Sequence, residues 1–197
     1  MIGRDFWYDV LRSGAILGVV MALSRVVEIY LLAFSELSIS SMSMLFAVEW
    51  LAAAVIFIWL LVRLSKRRAA AMEPKYGYSY SLALSYILMI SMLAGVIVGV
   101  ADTLFIGAMG YDAYIGGVIG RVDEMRALYA SMDITTLDSS FDEMIKTLRS
   151  TEQPSMFTNV FSMFNSYLFV GGLLGLIIAA VVRRRPLIVN ENQDDDE

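Results

Sequence analysis

The 197-residue sequence contains no cysteine and no histidine. The absence of cysteine excludes disulfides, thiolate metal sites and a cysteine nucleophile, and the absence of histidine removes the commonest general base and metal ligand. The sequence also has no glycine-rich phosphate loop of the Walker or dinucleotide type and no Asp-x-Asp-x-Asp-Gly calcium loop. Of the enzyme classes, only a lipid-modifying enzyme that relies on carboxylates stays open. We therefore predict a protein that is not an enzyme, without catalytic residues, cofactor or metal.

Charged residues are sparse and unevenly distributed along the chain. Hydrophobic side chains make up 58 % of the residues and the mean hydropathy is +0.65, which is too apolar for a soluble domain of this size. The net charge of −5 arises after Ala101 and in the tail Glu191–Glu197, whereas basic residues cluster at the ends of apolar runs. The composition predicts a protein embedded in the lipid bilayer and argues against a nucleic-acid partner.

Four apolar segments are long enough to cross a bilayer, at about residues 11–34, 42–64, 78–106 and 161–182. The first segment is predicted to be a retained helix and not a cleaved signal peptide, because Asp5 and Asp9 spoil a basic leader and Arg25 and Glu28 interrupt the apolar run. The predicted fold is all-α and polytopic, with a four-helix transmembrane domain over residues 1–186.

Basic residues predict the orientation of these spans. The second and third spans are separated by a basic cluster, and the fourth span ends at Arg183–Arg185; the cluster consists of Arg63, Lys66, Arg67, Arg68 and Lys75. The segment between spans three and four is acidic. Because basic loops stay on the cytoplasmic side, we expect both termini in the cytoplasm, an extracytoplasmic segment at about 107–155, and a disordered acidic cytoplasmic tail at 187–197.

The extracytoplasmic segment contains two amphipathic patterns. Apolar residues recur at helical spacing in both; they are Val122, Met125, Leu128, Tyr129 and Met132 in the first and Phe141, Met144, Ile145 and Leu148 in the second. Ser140 and Glu143 resemble a capping box at the start of the second helix. The two helices are expected to pack on the bundle as a hairpin, or alternatively to lie in the surface of the outer leaflet.

Small residues recur every four positions in three of the spans. They are Gly14, Gly18 and Ala22 in the first, Ser91, Gly95 and Gly99 in the third, and Gly171, Gly175 and Ala179 in the fourth. Such rows let helix backbones approach closely in lipid. Gly18 and Gly175 lie at similar depth, so we predict that spans one and four touch there. The row in span three requires another partner, either a helix of the same bundle, which is favoured, or a second copy of the chain.

The unusual residues are Arg25, Glu28 and Glu49, because ionisable groups within a span are costly and normally paired. Arg25 shares a helix face with Gly18 and Ala22, and Glu49 lies at the same depth on span two. We predict an Arg25–Glu49 ion pair, with Glu28 as a second carboxylate. It is expected to lock two helices; the alternatives are a proton or cation relay, or a polar seat for a lipid headgroup. Asp102 and Asn165 would be the next polar groups on such a path.

Four stretches together resemble a known family. They are the opening Phe6-Trp7-Tyr8 with Leu11 and Gly14–Gly18, the Tyr76–Tyr80 entry to span three, the methionine-rich amphipathic outer segment, and the closing Gly171–Arg185 stretch. The pattern resembles the four-helix membrane proteins grouped as domain of unknown function 4199, typical of Bacteroidota. The resemblance implies a bacterial inner-membrane location, no established activity and a helper role beside membrane glycosyltransferases.

Two functions are consistent with these features. The favoured one is a non-enzymatic accessory or scaffold subunit of a membrane complex, which contacts a membrane-protein partner or copies of itself. The alternative is a small oligomeric transporter, or an ion- or proton-conducting protein, that uses Arg25, Glu28 and Glu49.

Overall fold

The computed structural model describes residues 4–73, 76–134 and 136–186, so the predicted acidic tail lies outside the described residues. The described residues form six helices: α1 (Arg4–Phe34), α2 (Ile39–Ala71), α3 (Tyr80–Met109), α4 (Tyr111–Ser131), α5 (Asp138–Ser150) and α6 (Met156–Val182). Four of them, α1, α2, α3 and α6, are long and apolar enough to cross a membrane. The described part of the chain contains no β-strand, which confirms the predicted all-α membrane fold.

The four long helices alternate in direction, and this gives the bundle two distinct ends. We call the end that carries the α1–α2 turn and the two short helices the α4–α5 end. We call the opposite end, where α1 begins and α6 finishes, the terminal end. At the terminal end, the backbones of Tyr78 and Arg184 exchange two hydrogen bonds of 2.9 Å, which ties the α2–α3 connection to the chain beyond α6.

The centre of the bundle is α3, which packs along α1 on one side and α6 on the other. Half of its apolar segment is buried within the protein, compared with 17 % for α2. Its buried side chains include the large Tyr86, Ile87 and Ile90 and the small Ala83 and Ala94. The absence of charge from Tyr80 to Ala101 allows this central position, since no side chain there needs water.

The seam between α3 and α6 is built on the small residues of both helices. A side chain added at Gly95 would come within 2.8 Å of the Met163 carbonyl oxygen, and one added at Gly99 within 2.7 Å of the Val160 Cα. Ser91 lies directly against Gly171. The row in α3 therefore finds its partner within the same chain.

The predicted contact between Gly18 and Gly175 is wrong. Gly18 lies against Ala94 and Ile97 of α3, and Gly175 lies against Leu84 and Ile87 of the same helix. Within the described residues, α1 and α6 do not pack against each other. Equal depth in the membrane says nothing about which helices are lateral neighbours, and α3 separates these two. The remaining small residues of α1 and α6, Ala22 and Ala179, are buried.

The short helix α4 is fastened to the end of α1. Gly117 packs so closely on Ala33 that an added Cβ would lie 2.7 Å from the Ala33 Cα. The Arg121 guanidinium donates to the carbonyl oxygens of Leu32 at 3.3 Å and Leu37 at 2.8 Å, and also to that of Ser35. Leu32 lies in the last turn of α1, where carbonyl oxygens lack a following helical turn, and Ser35 and Leu37 come just after it. Arg121 therefore caps α1 from a distant part of the sequence.

The helix α5 packs on α4 and, among the described helices, on no other. The Tyr129 and Phe141 rings lie 5.9 Å apart, and Arg126 forms ion pairs of 3.0 Å with Asp138 and 2.8 Å with Asp142. Several apolar positions of the two stripes remain exposed; they are Met125, Leu128, Met132 and Met144. The predicted capping box is wrong, because α5 begins at Asp138 and Ser140 therefore lies inside the helix.

Candidate intramembrane polar site

The polar site is organised around Arg25, which projects from α1 towards the α4–α5 end of the bundle. Its Nη1 donates to Glu28 Oε2 at 2.7 Å, one turn away on the same helix. Its Nε donates to Asp102 Oδ1 on α3 at 3.1 Å. The three side chains are 30 %, 21 % and 5 % exposed, so Asp102 is the most deeply buried of them.

The predicted Arg25–Glu49 ion pair is wrong. Within the described residues Glu49 has no basic group within 4 Å, and its Oε1 instead accepts a hydrogen bond from the Ser24 hydroxyl. Counting residues along the spans put Arg25 and Glu49 at the same depth in the membrane. However, α1 packs far more extensively on α3 than on α2, so the Arg25 side chain points towards Asp102 of α3. The prediction of Glu28 as a second carboxylate beside Arg25 is met by the observed contact.

Asp102 connects three helices. Its Oδ2 accepts a hydrogen bond from Asn159 Nδ2 on α6 at 2.7 Å, and the same amide nitrogen lies 2.9 Å from Thr103 Oγ1. Arg25, Asp102 and Asn159 thus join α1, α3 and α6 at one level. Asn165, the other polar group considered from sequence, donates to the Phe161 carbonyl oxygen of its own helix and lies outside this network.

Sequence reasoning missed Asn159 as a member of the site. The predicted fourth span began at residue 161, whereas α6 begins at Met156 and includes Asn159 in its first turn. A signal for Asp102 was present, since it follows Gly95 and Gly99 at helical spacing and so lies on the face that meets α6.

Two small cavities flank Arg25. One, of about 170 Å³, lies towards the α4–α5 end and is lined by Asp102, Asn159, Tyr111 and Tyr114. Burial raises the pKa of Tyr114, so its hydroxyl stays protonated and neutral at pH 7.

The other cavity, of about 190 Å³, opens between α1 and α2. It is lined by Ser24, Arg25, Glu28, Glu49 and Trp50, among others. The Trp50 indole donates to Glu28 Oε1 at 3.3 Å.

The site as a whole holds three carboxylates and one guanidinium. Asp102 and Glu28 share Arg25, which leaves Glu49 as an acidic group with no cation beside it in the part of the chain that the structure describes. Among the described residues, no group of three or more carboxylates is arranged to hold a metal ion. Chemically, the arrangement can lock three helices together through Arg25, and it can offer Glu49 to a proton or to a cationic group.

Comparison with family models gives a match described as "Protein of unknown function (DUF4199)", over residues 12–184. Comparison with curated proteins found no match, and comparison with solved structures found none either. The matched range begins within α1 and ends beyond α6, so it includes most of α1, all of α2, α3 and α6, and every residue of the polar site. The chain belongs to the DUF4199 family, whose function is unknown.

Proposed function

We propose that this chain is a non-enzymatic accessory or scaffold subunit of a bacterial inner-membrane complex. The observation that carries the proposal is the pairing of Arg25 from two sides, by Glu28 on α1 and by Asp102 on α3. An arginine that is neutralised by its own bundle holds helices in place and is not available to conduct ions. The close seams of α3 with α1 and α6 support a rigid, closed body of the kind that a scaffold requires.

The distribution of charge supports an orientation with both termini in the cytoplasm. The terminal end of the bundle carries Arg63, Lys66, Arg67 and Arg68 at the end of α2 and Arg183–Arg185 after α6. Acidic residues predominate around α4 and α5 at the other end. Loops rich in arginine and lysine remain on the cytoplasmic side during membrane insertion.

The surface best suited to a membrane-protein partner is the outer face of α2. This helix is the least buried of the four, and its face carries Leu51, Val55 and Trp59, which are 68 %, 59 % and 52 % exposed. A partner helix packed there would bury apolar surface and bring the complex together within the bilayer. The family resemblance makes a membrane glycosyltransferase the first partner class to examine.

Affinity purification from the native membrane tests the proposal. A tagged copy would be extracted in mild detergent and its eluate measured by mass spectrometry and sizing. We expect a stoichiometric membrane protein beside this chain. A Val55→Trp variant should reduce its recovery, whereas Ile177→Trp, which places the same indole at an exposed position of α6, should not. A particle that contains only this chain would contradict the proposal.

A second candidate function is ion or proton conduction through an oligomer, and the carboxylate that favours it is Glu49. Glu49 faces the 190 Å³ cavity together with Arg25 and Glu28 and has no basic partner among the described residues. Proteoliposomes that contain wild-type protein or Glu49→Gln would test this directly. Flux that disappears in a normally folded Glu49→Gln variant would favour conduction, and equal background flux in both would reject it.

A further inference from the structure

A groove of about 470 Å³ lies between α2 and α6 on the membrane-facing side of the bundle. Ala54, Phe57 and Ile58 line it from α2, and Val170 and Leu173 line it from α6. Its volume falls within the range of about 300–1,000 Å³ that is usual for ligand sites in proteins. Nearly all of its lining is apolar, so an apolar chain is the occupant that it suits.

The groove adjoins the polar cavity that contains Glu49. Met21, Ala53 and Tyr167 line both spaces. The two neighbouring spaces give an elongated site with an acidic end and an apolar remainder.

The direction of this site matches that of a membrane lipid. From Glu49 to Ile58 the groove follows α2 for about 14 Å towards the terminal end. Glu49 lies about 21 Å along α2 from Arg63, so in a hydrocarbon core of about 30 Å it falls within about 10 Å of the opposite boundary. Its neighbour Trp50 is 66 % exposed, as is typical of tryptophan near the headgroups. The acidic end therefore lies nearer the headgroups and the apolar groove runs inward from it.

Charge specifies the headgroup. Arg25 is held by Glu28 and Asp102, whereas the Ser24 hydroxyl is the one polar partner of Glu49 among the described residues. A carboxylate at this depth is stabilised by a cation that can also donate hydrogen bonds. A primary ammonium group meets both requirements, whereas an anionic headgroup without an amine supplies no cation.

We propose that this site binds one molecule of an amine-bearing lipid, with its ammonium group on Glu49 and one acyl chain in the groove between α2 and α6. The inference does not depend on the accessory role, and its failure would leave the search for a protein partner unaffected.

Lipid binding by the purified full-length chain tests this proposal. The chain would be exposed to phosphatidylethanolamine, phosphatidylglycerol or phosphatidylcholine with identical acyl chains, and bound lipid would be counted by native mass spectrometry. We expect phosphatidylethanolamine to be preferred over phosphatidylglycerol by roughly tenfold, the scale of one charge-assisted hydrogen bond. Glu49→Gln should abolish this preference. Glu36→Gln, which neutralises an exposed acid in the α1–α2 turn away from the cavity, should retain it.

A second variant keeps the test decisive if Glu49→Gln does not fold. Ala54→Phe fills the groove from an exposed position of α2 and touches no charge, so it should reduce the binding of all three lipids while thermal unfolding stays unchanged. Equal binding of phosphatidylethanolamine and phosphatidylglycerol to the wild type would overturn the proposal, as would full phosphatidylethanolamine binding to Ala54→Phe. Displacement of the lipid by free ethanolamine alone would overturn the part played by the acyl chain.

Discussion

Arg25 and Asp102 lie 77 residues apart in the sequence, and their side chains meet across the α1–α3 interface at 3.1 Å. Asp102 also accepts from Asn159, so one buried carboxylate holds partners from two other helices. The depth counted along the spans predicted Glu49 as the partner of Arg25. In the structure the partner is Asp102, because α3 occupies the centre of the bundle. This difference can be tested by comparing the two carboxylates.

Asp102→Asn should destabilise the protein more than Glu49→Gln does. The first change leaves the 3.1 Å partner of Arg25 uncharged, and we expect it to cost about 1–3 kcal/mol, the scale for a buried polar group that loses its partner. The second change removes no ion pair among the described residues and should cost less than about 1 kcal/mol. Denaturant or thermal unfolding in detergent measures both, and a larger loss for Glu49→Gln would show that Arg25 pairs with Glu49 after all.

Gly95→Ala should loosen the seam between α3 and α6. The added methyl group would lie 2.8 Å from the Met163 carbonyl oxygen, so the two helices would have to move apart. Gly107→Ala is the matched control in the same helix, because a Cβ there meets nothing within 4 Å and alanine favours helix by about 1 kcal/mol. The midpoint temperature of thermal unfolding should fall for Gly95→Ala and stay level or rise for Gly107→Ala. The same result for both variants would contradict the packing of α3 on α6.

Arg121→Lys should release α4 from the end of α1. Lysine keeps the charge, but it cannot donate at once to the carbonyl oxygens of Leu32, Ser35 and Leu37. We expect faster hydrogen exchange at residues 111–131 with little change in α3. Arg149→Lys, at an exposed position of α5, is the control and should leave the exchange of α4 unchanged. Unaltered exchange in Arg121→Lys would contradict the capping role of Arg121.

Tyr78 should make the protein sensitive to alkaline pH. Its side chain is fully buried and its hydroxyl has no hydrogen-bond partner among the described residues, and burial raises the pKa of this phenol. A group whose pKa is higher in the folded state contributes stability below its unfolded pKa of about 10, and this contribution is lost as the pH rises further.

Tyr78→Phe tests this pH dependence, because phenylalanine removes an unpartnered hydroxyl that is expensive to bury. The variant should be as stable as the wild type or more stable at pH 7, and it should lose less stability above about pH 10. Thermal unfolding across the alkaline range measures both effects. An equal loss of stability at alkaline pH in the variant and in the wild type would show that Tyr78 does not cause the pH dependence.

The sequence was sufficient for the spans and for the residues that do not belong in lipid. Apolar length identified α1, α2, α3 and α6, and the cost of a charge in a membrane singled out Arg25 and Glu49. It was not sufficient to predict which helices pack side by side. Depth can be counted along a helix, whereas the choice between Asp102 and Glu49 depends on how helices are arranged around α3.

Contacts made by the connections were also beyond sequence reasoning. Arg121 reaches the carbonyl oxygen of Ser35, 86 residues away, and nothing in the local pattern of α4 indicates that its arginine caps another helix. The Tyr78–Arg184 backbone pair likewise joins two connections through main-chain atoms, which leave no residue-type signature.

The position of α3 between α1 and α6 determines both the pairing of Arg25 and the place of α2 beside the groove. The absence of native cysteine makes disulfide cross-linking in membranes the most direct measurement, with unreacted thiols counted by the mass added by a maleimide. A Gly18→Cys, Ile97→Cys pair should cross-link on oxidation, since a Cβ at Gly18 would lie 2.9 Å from that of Ile97. A Gly18→Cys, Gly175→Cys pair should keep both thiols free. Cross-linking of the second pair and not of the first would contradict the placement of α3 between α1 and α6.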